Sequence, residues 1–80
     1  MTIQLINGHF NSEEAVDIIN QMIQIKIKFQ ESKITADSSE EDIKMRETRI
    51  RQLQQSLTES RNFIKEQNGN IAITSNIQLN

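Results

Sequence analysis

The side chains best equipped for chemistry in this chain are three acidic residues, one imidazole and four cations, and their spacing decides what each group can do. Glu13, Glu14 and Asp17 form a carboxylate cluster. Paired carboxylates serve as general acid and base or hold a cation, but only in a pocket that shifts their pKa values. Here they follow Asn11, which can accept a backbone N–H as a helix N-cap, with Glu14 placed to bond back at the third helical position. Their charge also suits the positive end of a helix dipole. Capping is therefore the stronger reading. His9, Ser12 and Asp17 supply the residue types of a nucleophilic triad, but nothing beside them builds an oxyanion hole or a nucleophile elbow.

The basic positions Lys44, Arg46, Arg49 and Arg51 raise the alternative of a phosphate-binding stripe and a nucleic-acid-associated regulator. Glu40–Lys44, Asp42–Arg46 and Glu47–Arg51 are acid-before-base pairs four apart, the order that supports an exposed helix. No aromatic residues interleave to stack on bases. A solvated helix face outweighs nucleic-acid contact. With His9 the only histidine and no Cys, thiolate and His-rich metal sites are excluded within one chain. Gly8 and Gly69 are the only glycines, so no glycine-rich phosphate loop exists. The expectation is a non-enzymatic protein with no catalytic residue, cofactor or metal.

The elements that carry these residues are more legible than any chemistry. Ile43, Ile50, Leu57 and Ile64 repeat every seven residues, with Leu53 at the adjoining position. Residues seven apart nearly eclipse on a helix, so this row predicts a seam that lies along another helix. Ser38 with Glu41 reads as a capping box, and Asn68-Gly69 as a stop, giving a helix from about 39 to about 67. Upstream, Val16, Ile18, Ile19, Met22, Ile23, Ile25, Ile27 and Phe29 spread over a wide arc of a helix from about 12 to about 33. That arc, roughly 200°, exceeds the ~100° stripe of an ordinary surface helix. The alternation from Ile23 to Phe29 also permits a strand, but no turn signal separates it from the helical pattern before it.

Residues 2–6 read as a short strand ended by the turn signal Asn7-Gly8. From 70 to 79, Ile71, Ile73, Ile77 and Leu79 alternate with polar residues and read as a half-buried strand. The short loop between the helices implies an antiparallel hairpin. Two such helices with a thin seam resemble small hairpin modules in general, and no motif selects one family.

Eighty residues bound the chain to one small domain, whose thin stability margin favours a supplement. Without Cys or a metal site, oligomerisation is the supplement left. A formal charge of -2 gives no global attraction to nucleic acid or anionic lipid. No stretch approaches the roughly 20 apolar residues of a membrane span, and no basic leader precedes the first strand, so a cytoplasmic protein is expected. The predicted fold is mainly α, over 1–80: an antiparallel two-helix hairpin flanked by short N- and C-terminal strands, dimerising into a four-helix bundle. The predicted role is a protein-interaction or assembly module working as a homodimer through its helix-packing residues. The two terminal strands are expected to meet at the same end of the helices and pair as a small sheet, within a chain or between chains; left unpaired, the row Ile71, Ile73, Ile77 and Leu79 would instead offer a docking strand to another protein.

Overall fold

The computed structural model describes all residues from 1 to 80. Strand β1 spans Thr2–Phe10, helix α1 Ser12–Ser32, helix α2 Glu40–Glu66 and strand β2 Ile71–Gln78. The helices start where side chains can satisfy their free N–H groups. Asn11 Oδ1 accepts from Glu14 N at 2.8 Å, and Glu14 Oε1 accepts from Asn11 N at 3.1 Å. At α2 the cap is Ser39, one residue beyond the expected Ser38, and its Oγ accepts from Asp42 N at 3.1 Å. Ser38 instead closes the connecting turn by accepting from Thr35 N at 2.9 Å. Helix α2 is capped by Gln67, and Gly69 takes the left-handed conformation at φ 90° that lets the chain turn back toward β1.

The expected mainly α hairpin, flanked by short strands and dimerising into a four-helix bundle, is corrected here to a mixed α/β fold. β1 and β2 pair with each other in one antiparallel two-stranded sheet, nine and eight residues long. The sheet therefore takes up part of the wide apolar arc of α1 that the bundle expectation assigned to a second helical hairpin. The expected strand end at residue 6 also fails. Asn7-Gly8 forms no turn: Asn7 pairs with Thr74, Gly8 with Ile73 and Phe10 with Ile71. Four more residues of strand gain ladder partners this way, and that outweighs the local turn preference of one dipeptide.

The ladder contains one irregularity. Gln4 faces Asn76 and Ile6 faces Ser75, so Leu5 is an extra residue, a β-bulge. The extra residue corrects a parity fault in the sequence. Ile3 is odd and Ile6 and Phe10 are even, so a regular strand would put them on opposite faces. With the bulge, Ile3, Ile6, Gly8 and Phe10 share one face with their partners Ile77, Ser75, Ile73 and Ile71. Thr2, Gln4, Asn7 and His9, opposite Gln78, Asn76, Thr74 and Ala72, make the other face, polar and almost wholly uncharged.

The apolar sheet face turns toward the hairpin. Ile6, Phe10, Ile71 and Ile73 are half-buried there, and Ala15, Ile27, Leu57 and Ile64 are the four buried residues of the molecule. The hairpin is also clasped by polar cross-links: Arg46 Nη1 donates to Gln30 Oε1 at 2.9 Å and Arg61 Nη2 to Asn20 Oδ1 at 3.3 Å. The molecule is nonetheless elongated, with a radius of gyration of 15.4 Å and extents of 47 × 32 × 13 Å. Compact packing of this many residues gives about 12 Å. No helix is long and apolar enough to cross a membrane.

Candidate interaction surface

The surface most in need of explanation lies between the sheet and α1. The two connections that hold sheet to hairpin are short: Asn11 alone joins β1 to α1, and residues 67–70 join α2 to β2. Near them Ile71 and Ile73 of β2 line a groove of about 450 Å³ with Phe63 and Ile64 of α2. Farther from them, Leu5 and Ile77 of the sheet face Ile19, Met22, Ile23 and Ile25 of α1 across a groove of about 510 Å³. Apolar residues in and beside this groove are open to solvent. Ile25 is 68% exposed, Phe29 55%, Leu5 51% and Leu79 52%.

These values separate the two edges of the α1 arc. Val16 and Ile23 are half-buried and Ile27 is buried, so this edge lies within the packed part of the molecule. On the other edge Ile18 and Met22 are half-buried while Ile25 and Phe29 are exposed, and Ile19 lies beneath the sheet. Along the α2 row, Ile43, Ile50 and Leu53 are half-buried and Leu57 and Ile64 are buried. Ile71 and Ile73 are half-buried in β2, whereas Ile77 and Leu79 are exposed. Two contributors have no place in the helical patterns. Leu5 is the extra residue of the bulge, whose signal is the loss of alternation at Leu5-Ile6. Phe63, off the heptad row, stands beside Ile71 and Ile73 and is also exposed.

The size of the open surface can be judged against a norm. The chain exposes 6280 Å². A folded monomer of its 9.3 kDa exposes about 5,000 Å². The excess, about 1,300 Å², is larger than the ~800 Å² each partner contributes to a standard protein interface.

The polar candidates have other occupations. Glu14 caps α1, and Asp17 Oδ2 accepts from Gln21 Nε2 at 2.9 Å. No three His, Asp or Glu side chains converge in a way that would hold a metal ion. Among the basic positions, Arg46 donates across the hairpin to Gln30 and Arg51 donates to Thr48. At 100° per residue, Lys44 and Arg51 share one side of α2 while Arg46 and Arg49 lie on nearly the opposite side. The four do not form one stripe. Comparison with protein-family models, curated proteins and solved structures found no match.

Proposed function

We propose that this chain is a non-enzymatic interaction module that works by associating with a second copy of itself across the open apolar surface. The observation that carries this reading is the excess exposure. A chain with four buried residues leaves Leu5, Ile25, Phe29, Ile77 and Leu79 exposed, all on or beside one groove. Each such side chain gains roughly 1.5–3 kcal/mol when fully buried, a large increment for a domain this small. A contiguous apolar patch rimmed by polar residues marks a place of contact. Twofold self-association is the commonest way to cover one. A cysteine-free chain of this kind suits a reducing compartment, and the cytoplasm is the setting proposed.

Sedimentation equilibrium at micromolar concentration tests the reading. The expected mass is that of a dimer. Replacing Ile25 and Phe29 together by Asn is expected to shift it toward monomer without loss of helicity, because both are exposed within one chain. A fully helical wild-type monomer at these concentrations would sink the proposal.

A further inference from the structure

The charged side chains of this chain are confined to its helices and the loop between them. Every Asp, Glu, Lys and Arg lies between Glu13 and Glu66, and the two strands carry none. Exposed strand edges are usually blunted by charges, proline or bulges, since a row of free N–H and C=O groups will pair with any strand it meets. Neither strand has proline. The two edges differ in the third device. The bulge at Leu5 breaks the outer edge of β1, whereas β2 runs without a break from Ile71 to Gln78.

The phase of the ladder shows which groups β2 offers. Met1 N donates to Leu79 O at 2.9 Å and Leu79 N to Met1 O at 2.7 Å, so these two form a hydrogen-bonded pair. Alternation then turns the backbone groups of Ile77, Ser75, Ile73 and Ile71 toward β1. Those of Ala72, Thr74, Asn76 and Gln78 point outward, an evenly spaced row of donors and acceptors. On β1 the matching outward residues are Thr2, Gln4, Asn7 and His9, whose spacing is interrupted between Gln4 and Asn7.

The segment is also close to symmetric about Ser75, Ala72 and Gln78 excepted. Asn70 mirrors Asn80, Ile71 mirrors Leu79, Ile73 mirrors Ile77 and Thr74 mirrors Asn76. We propose that β2 pairs antiparallel with β2 of a second copy about a twofold axis at Ser75, joining the two sheets into one of four strands. This inference rests on the self-association reading above and specifies its geometry. Thr74 then exchanges both backbone bonds with Asn76 of the other copy, and Ala72 with Gln78. On the apolar face Ile73 stands opposite Ile77, and Ile71 opposite Leu79. The lone polar residue of that row, Ser75, meets its own twin at the axis, where a small side chain is needed. The exposed tip of each strand is set against the covered root of the other. Uncharged strands bring no like-charge repulsion to the joint. The bulged β1 edges become the outer edges of the joined sheet and stop it from growing, so the contact closes as a dimer.

Three substitutions and sedimentation velocity at micromolar concentration test the geometry. Thr74→Pro removes an outward N–H and leaves the β1 ladder its donors, so the dimer is expected to weaken roughly tenfold or more. Asn7→Pro makes the same change on the β1 edge and is expected to leave the dimer intact. Ser75→Cys introduces the only thiol of the chain, facing its twin across a non-hydrogen-bonded pair at a Cα separation of about 4.5 Å, within disulfide reach. Mild oxidation is expected to cross-link it nearly completely, whereas Ala72→Cys, roughly 20 Å from its twin in this register, stays uncross-linked. Should Thr74→Pro lose its helical circular dichroism, the cysteine pair alone decides. A folded Thr74→Pro that remains dimeric, or a Ser75→Cys that fails to cross-link, overturns the inference. If association survives those results but is lost in the Ile25 and Phe29 double variant, self-association stands and the strand edge is not its route. A wild-type monomer overturns both.

Discussion

The root and the tip of the sheet are built from the same residue types and meet different fates. At the root, Phe10 and Ile71 are half-buried, Ala15 is 0% exposed and Ile64 is 4% exposed. At the tip, Met1, Ile3, Leu5, Ile77 and Leu79 are all exposed. Hydrophobicity does not separate these groups, since isoleucine stands at both ends. Distance from the chain connections does. One residue between β1 and α1, and four between α2 and β2, pin the root, so closing it costs little further loop entropy. At the tip no connection holds sheet to hairpin, and the single chain has too few side chains to fill the wedge. The root is a core; the tip is left open by the single chain.

The largest expected contrast comes from truncating one residue at each end. Ile64→Ala at the root should destabilise by roughly 2–5 kcal/mol, the lost transfer energy plus a cavity. Leu79→Ala at the tip should change monomer stability by under about 0.5 kcal/mol. Urea unfolding of both variants, done at concentrations low enough to favour monomer, checks this. Equal losses would mean that the tip closes in solution and that the root–tip distinction is false.

Next in size is the chain reversal that pins the root. Gly69 holds φ 90°, where an L side chain is strained by roughly 1–2 kcal/mol. Gly69→Ala should therefore lower stability by about that amount, although a Cβ there has open space around it. Thermal melts measure it. A neutral outcome would show that the reversal relaxes to another conformation and that the root is not fixed by its connections. Asn11→Ala removes the cap on the other connection and should cost about 1 kcal/mol, with hydrogen exchange accelerating at Glu13 and Glu14 before it does in α2.

The root was largely legible in the sequence because its determinants are local. The Asn11–Glu14 box, the 3.6-residue periodicity of α1, the seven-residue row of α2 and the Gly69 stop each lie within a few residues of what they control. The reach of β1 was not legible, because what extends it past Asn7-Gly8 is a partner strand more than sixty residues away. The same dipeptide reads correctly at Asn68-Gly69, where a helix ends and no ladder competes. The bulge was hidden for a related reason: the parity fault between Ile3 and Ile6 is visible, but only the register against β2 says which residue is extra. The open edge of α1 needed the sheet to be placed. Periodicity showed that its apolar arc was too wide, and could not say whether Val16–Ile27 or Ile18–Phe29 was left uncovered.

The smallest expected effect has the opposite sign and lies midway between root and tip. Gly8 sits inside β1, on the face turned to the hairpin, without positive φ. A Cβ there would meet the Phe10 ring at 3.5 Å, ordinary van der Waals contact. The ring already covers the gap that the glycine leaves in the apolar row. Nothing in the folded state therefore demands glycine, and the turn chemistry of Asn7-Gly8 works against the strand only in the unfolded chain. Gly8→Ala should raise stability by roughly 0.4–1 kcal/mol, by narrowing the unfolded ensemble and adding a methyl group under the ring. The gain should appear as a higher urea midpoint with an unchanged slope. A loss instead would mean that the Phe10 ring cannot yield, placing the rigid boundary of the root at Gly8 and leaving only residues 1–6 and their partners to the open tip.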